Sequence, residues 1–253
     1  MQILLTVAVP LIGMVGIALA GRWPNLREGV TLLTATVNAV NVWTILPVVL
    51  EGGRPAVSVI EILPGLPLKF EAEPLGMMFA AVAATLWIVN SIYSIGYMRG
   101  NNEVRQTRFY ACFALAIGGA MGVAFAGNLL TLFIFYEVLT LSTYPLVIHK
   151  ETEEARRGGR TYLGILIATS IGLQLPAIIW TWHLTGTLDF VPGGTLAGKV
   201  QGVSAGLLLA LYMYGIGKAA LMPVHRWLPA AMVAPTPVSA LLHAVAVVKA
   251  GVF

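Results

Sequence analysis

Apolar runs of membrane-spanning length recur along almost the whole chain, and they limit its fold more than any other feature. About eight can be read: Ile3–Ala20, Val30–Leu50, Leu75–Tyr97, Phe109–Phe125, Asn128–Ile148, Tyr162–Trp182, Val203–Met222 and Val238–Phe253. A helix rises 1.5 Å per residue, so about 20 apolar residues cross a hydrocarbon layer of about 30 Å. Only helices and closed barrels satisfy every backbone group inside lipid, and runs this long fit helices. Charged residues make up 10% of the 253 and hydrophobic ones 58%, whereas soluble domains carry about a quarter charged. The fold class is therefore an all-α polytopic membrane protein with about eight transmembrane helices.

Turn-forming residues separate the runs: Gly52-Gly53, Pro64-Gly65, Gly158-Gly159 and Pro192-Gly193-Gly194. Leu66–Glu71 alternates weakly and reads as a short strand or extended piece. The first run ends in Ala18-Leu19-Ala20, which resembles a cleavage site. No positive charge precedes it, as a signal peptide requires, so it reads as the first span. The single cysteine, Cys112, rules out a disulfide within the chain and reads as a small buried residue.

The positive residues set an orientation. Alternate loops hold Arg22 and Arg27; Arg99, Arg105 and Arg108; Lys150, Arg156, Arg157 and Arg160; and Arg226. The remaining loops hold only Arg54, Lys69 and Lys199. By the positive-inside rule the first group faces the cytoplasm and the N-terminus lies outside. The net charge of +4 reflects this sidedness, and no nucleic-acid partner is expected.

Three charges fall inside the spans: Glu137, Lys218 and Lys249. A charge at mid-bilayer costs on the order of 3 kcal/mol and is normally kept only where it faces a partner, water or the bundle interior. Low dielectric disfavours a charged ammonium and a nearby carboxylate restores it. A lysine whose carboxylate partner moves can thus load and release a proton. Two readings follow, a proton or ion pathway and a structural ion pair such as Glu137 with Lys218. Gly215, Gly217 and Pro223 surround Lys218. They fit a helix broken near Lys218–Pro223, of the kind that binds ions in transporters. They also fit a helix that simply stops at Pro223.

His225 lies beside this break and His243 on the eighth run. Each suits either a proton path or an interhelix hydrogen bond. His149 and His183 sit at span ends, where an interfacial role is expected. No histidine has metal-ligand spacing with partners, so no metal site is expected. The "GIGKAA" stretch resembles the tail of a phosphate-binding loop, but Tyr212 and Ala219 stand where that loop needs Gly and Ser or Thr.

The stretches "FYEVLTLSTYPLVIH" (135–149) and "GKAALMPVHRWLPAAMVAPTPVSALLHAVAVVKAG" (217–251) carry a resemblance. They are similar to the proton-conducting membrane subunits shared by Mrp-type cation/proton antiporters, membrane-bound hydrogenases and respiratory complex I, with the D-type Mrp protein the best match. The likeness covers the chain weakly before residue 75 and strongly from 108. It implies that Glu137, Lys218 and Lys249 match the family's relay glutamate and lysines, and that His225 and His243 match its histidines. It implies a three-helix segment over 1–107 and a first half-channel over 108–253. In the family an inverted repeat supplies the other half, and none lies within this chain. A fragment, a truncated product and a split subunit are the expectations this leaves.

The function the resemblance implies is proton translocation in a multisubunit Na+/proton antiporter of a prokaryotic cytoplasmic membrane, with other membrane subunits as partners. The alternatives are the same module in a redox-driven complex, namely a quinone reductase or hydrogenase, and a non-conducting structural subunit. Nothing in the sequence binds flavin, quinone or an iron–sulfur cluster, so no cofactor is expected.

Overall fold

A computed structural model of the chain describes residues 1–245 and 247–253, with the side chains of 244 and 245 left out. Its helices are α1 (Gln2–Leu19), α2 (Pro24–Leu50), α3 (Pro74–Gly100), α4 (Gln106–Ala124), α5 (Leu129–Val147), α6 (Glu153–Thr169), α7 (Leu175–Thr185) and α8 (Gly202–Gly215). The short helices α9 (Trp227–Ala230), α10 (Thr236–Ala240) and α11 (Val247–Ala250) follow. A π-helical turn, Ser170–Gln174, joins α6 to α7. Among the described residues six helical runs are long and apolar enough to cross a membrane, the sixth being Glu153–Thr185. Gly202–Gly215 and Thr236–Ala250 are shorter apolar helices. The eighth expected span, Val238–Phe253, runs over residue 246, outside the described residues.

Helix ends follow local chemistry. Pro24 and Pro74 open α2 and α3, where a missing N–H costs nothing. Asn128 caps α5 by accepting from Thr131 N at 2.8 Å, and its amide donates to Pro67 O at 2.8 Å. Thr152 caps α6 through Ala155 N at 3.1 Å. The α2–α3 connection is an antiparallel hairpin of β1 (Ala56–Leu63) and β2 (Leu66–Glu71), turned at Gly65 with φ +78°. The strand expected over Leu66–Glu71 is thus present. Its partner β1 carries too weak an alternation to read from sequence.

The core sits around α4, which packs against α1, α3 and α5. Gly119 lies against the backbone of Leu139 and Gly122 against the Phe135 ring, so α4 and α5 approach closely through small residues. Two expectations are corrected here. α6 starts at Glu153, nine residues before its apolar run at Tyr162, so Arg156, Arg157, Arg160 and the expected turn Gly158-Gly159 are helical, the two glycines serving close approach to Ala230 and Ile148. The loop expected to hold Arg27 is helical, because α2 starts six residues earlier than its apolar run, at Pro24 rather than Val30. Arg27 and Glu28 are buried in its first turns, at 4% and 5% exposure. Glu28 pairs with Arg99 at 2.5 Å and with Arg27 at 3.4 Å. Arg27 also lies over the Tyr110 ring, 5.2 Å from its centre. Cys112 is half-buried.

Candidate functional site

α8 ends at Gly215. A single 3₁₀ turn, Gly217–Ala219, carries Lys218, and Ala220 then adopts a left-handed conformation at φ +54°. This turn lies deep in the bundle because of its glycines. A Cβ on Gly215 would stand 2.7 to 2.9 Å from the backbone N, Cα and Cβ of Gln174, in the π-helical turn. A Cβ on Gly217 would meet the Thr169 side chain, and one on Gly251 the backbone of Ala219. In sequence, Gly215 and Gly217 fit a helix broken near Lys218. In the structure both are buried contact points, and the gain is close approach to α6 and the π-helical turn after it.

Lys218 is fully buried, at 0% exposure. Its ammonium donates to Tyr136 O at 2.6 Å and to Thr140 Oγ1 at 2.7 Å, both on α5. It also sits over the Tyr136 ring, 3.0 Å from the centre. The backbone N–H of Lys218 donates to Tyr136 Oη at 3.0 Å. Trp227 Nε1 donates to Gly217 O at 2.8 Å and its ring packs on Tyr162, whose hydroxyl bonds Thr143 Oγ1 at 2.6 Å. The lysine turn is therefore clamped to one face of α5 by Tyr136 and Thr140, and held on the α6 side by Trp227. Nothing in the sequence reading singles out these three residues. The spacing of Tyr136, Thr140 and Thr143 along α5 is the signal that was available.

Glu137 is half-buried near the middle of α5, and its Oε1 is enclosed with no hydrogen-bond partner among the described residues. The expected Glu137–Lys218 ion pair is replaced by another arrangement. No carboxylate oxygen of Glu137 lies within ion-pair distance of the ammonium, which is taken instead by the carbonyl of Tyr136 and the hydroxyl of Thr140. The other expected residues are more dispersed. Lys249 is exposed on α11, and His225 and Pro223 are exposed around the 3₁₀ turn Val224–Arg226. His243 is half-buried, with Nε2 enclosed and unpartnered among the described residues. No group of three metal-ligating side chains occurs among the described residues.

His149, expected at an interface, is buried at 1% exposure beyond the end of α5. Burial pushes its imidazole down to about 4, and the nearby Arg108, Arg105 and Lys150 add to the shift. Its Nε2 lies 3.7 Å from Glu103 Oε2, and Arg108 pairs with Glu151 at 2.7 Å.

Comparison with known proteins places these features in context. Residues 126–253, just over half the chain, match the family model described as NADH:quinone oxidoreductase/Mrp antiporter, TM. The chain is 33% identical over 198 residues to a probable K(+)/H(+) antiporter protein of A/B type from Rhizobium meliloti (strain 1021), covering 75% of this chain and 19% of that protein. It is 30% identical over 196 residues to an NAD(P)H-quinone oxidoreductase subunit 5 (organellar chromatophore 1) of Paulinella chromatophora, covering 74% and 29%. The chain thus spans less than a third of the length of these curated relatives, and neither carries a D designation. In fold it matches a chain in the structure of the Mrp complex from Dietzia sp. DQ12-45-1b, with a TM-score of 0.85 at 24% identity, over 100% of this chain and 27% of that one.

Proposed function

Because the chain belongs to the NADH:quinone oxidoreductase/Mrp antiporter transmembrane family, we propose that it is a proton-translocating membrane subunit. Its setting is a multisubunit monovalent cation (Na+)/proton antiporter in a prokaryotic cytoplasmic membrane, with the N-terminus outside. The supporting observation is Lys218, fully buried on a 3₁₀ turn and held by the two α5 residues that flank the Glu137 turn. An ammonium in low dielectric gives up its proton more readily, and a carboxylate brought near reverses this. The carbonyl of Tyr136 and the hydroxyl of Thr140 keep Nζ oriented in both protonation states, since a neutral amine also donates.

In this reading Glu137 delivers a proton to Lys218, and Lys218 passes it towards Lys249, with His225 and His243 alongside. The break around Gly215–Pro223 gives the lysine access to water. Residues 108–253 act as one half-channel on a 1–107 support, and a second half, from further polypeptide, takes the proton from Lys249. The motif reads closest to the D-type protein, whereas the relatives above are of A/B type and subunit 5 type. The proposal is therefore made for the module they share.

A second reading, the same module inside a redox-driven complex, is favoured by the quinone oxidoreductase relative. The purified assembly, reconstituted in vesicles, separates the two. Cation-dependent collapse of an imposed ΔpH with no visible absorbance supports the antiporter. Flavin or cluster bands, with ΔpH built only on adding a reductant, replace it with the redox reading.

A further inference from the structure

The sixth membrane-length run, Glu153–Thr185, carries a proline in its interior. Pro176 has no N–H to give to Gly172 O, and in a regular α-helix its ring would press on that carbonyl. The chain answers with the π-helical turn Ser170–Gln174, in which Leu175 N–H donates to Ser170 O, five residues back. The two hydroxyls at the start of the turn are spent on their own helix. Thr169 Oγ1 donates to Ile165 O at 2.9 Å and to Leu166 O at 3.0 Å, and Ser170 Oγ donates to Leu166 O at 2.8 Å. Such back-bonding favours a departure from straight α-helical geometry.

The π-turn changes which residues share a face. At 3.6 residues per turn, residues five apart lie about 140° apart around an α-helix. In a π-turn the i→i+5 hydrogen bond brings residue i+5 over residue i. Gln174 therefore stacks over Thr169, and Thr181, two α-helical turns beyond Gln174, continues the same face. All three are buried. They meet α8, which runs the opposite way, in order. Tyr212 Oη bonds Thr181 Oγ1 at 2.7 Å, Gly215 rests on the backbone of Gln174, and Gly217 rests on the Thr169 side chain. The last two contacts lead straight into Lys218. They hold its turn from the α6 side, as Tyr136 and Thr140 hold it from α5.

We propose that the π-helical turn is the support of the lysine turn, with Thr169 and Gln174 as positioning residues for Lys218. In a straight α-helix one of the two would lie about 140° round the axis from the other, and Gly215 and Gly217 could not both be met. The Lys218 ammonium bonds Tyr136 and Thr140 and not these residues. They act on transport only through where the backbone of 215–218 sits. The link to transport rests on the reading of Lys218 as a proton carrier, and the support itself does not.

Gly217→Ala and Thr169→Ala, singly and together in the intact assembly, test the support. Gly217→Ala drives a Cβ into the Thr169 side chain. It is expected to displace Lys218 and to lower the maximal rate of cation-dependent ΔpH dissipation about 10- to 100-fold, with the cation KM unchanged. Thr169→Ala takes away Oγ1 and Cγ2 from that overlap. In the double variant it is expected to recover part of the loss, a coupling of about 2- to 100-fold in rate. Effects that multiply with no recovery overturn the support. The thermal midpoint reads the same cycle without transport, and the same recovery is expected there. Recovery of the midpoint alongside normal transport by Lys218→Ala removes the proton reading and leaves the support. Additive midpoints remove the support and leave the proton reading. If a variant does not assemble, a cryo-EM map of the wild-type assembly decides. A π-turn with Gln174 stacked on Thr169 is expected, and a regular α-helix through this stretch overturns the proposal.

Discussion

Replacing Gly215 by alanine separates two explanations of the α8 terminus by the sign of the effect. If glycine is there to loosen the helix, alanine stiffens it and adds about 1 kcal/mol of helix propensity. If glycine is there for close approach, the new Cβ lands 2.7 to 2.9 Å from backbone and Cβ atoms of Gln174. Backbone cannot swing aside as a flexible side chain does. The strain falls at the upper end of overpacking costs, about 3 kcal/mol. Less the propensity gain, a loss of about 2 kcal/mol remains, or a midpoint lower by about 4–8 °C for a chain of this size. Gly206→Ala is the internal control, since Gly206 lies in the same helix with nothing within 4 Å of its would-be Cβ. It is expected to raise the midpoint slightly. Thermal unfolding of the detergent-solubilised protein reads both variants. A Gly215→Ala midpoint at or above wild type, with Gly206→Ala also raised, refutes close approach as the role of Gly215. Because Lys218 lies three residues on, transport in vesicles is expected to fall with the Gly215 variant and not with the Gly206 variant.

Three further outcomes are expected. Thr140→Val removes the hydroxyl that accepts from Lys218 at 2.7 Å; it is expected to cost about 1–3 kcal/mol in unfolding and to slow transport, whereas Thr140→Ser retains both. Glu28→Ala removes the carboxylate beside Arg27, 4% exposed, which keeps its hydrogen bonds to Gln106 and Thr107, and is expected to cost about 1–3 kcal/mol, read by the same thermal assay. His149 is held neutral in the folded protein down to about pH 4, while the unfolded chain takes up a proton near the usual value of about 6.5. Between these values the unfolded state binds more protons, so stability falls as pH is lowered from 6.5 towards 4, by about 2 kcal/mol after screening. His149→Gln is expected to flatten the stability profile across that window.

Hydrophobic run length revealed much of the fold, because lipid leaves helices few alternatives. The first six spans lie within a few residues of the helices found, except where α2 starts early at Pro24 and α6 starts nine residues early at Glu153. In α2 the polar pair Arg27-Glu28 masked the helix, since its burial depends on Arg99, 71 residues away from Glu28. The hairpin strand β1 was missed for a similar reason, as its exposed face shows no alternation. At the candidate site, Lys218 stood out as a charge in an apolar run. Its acceptors Tyr136 and Thr140 are ordinary residues in sequence, and only the clamp between α5 and the 3₁₀ turn marks them out. Gly215 and Gly217 were visible, but what they approach was not, because a glycine records space without naming the neighbour.

The most direct test of the relay is Lys218→Ala in the intact assembly, reconstituted in vesicles with an imposed ΔpH. The relay predicts normal assembly and loss of cation-dependent ΔpH dissipation. Wild-type dissipation by a correctly assembled Lys218→Ala complex would contradict it and leave Lys218 with a packing role alone.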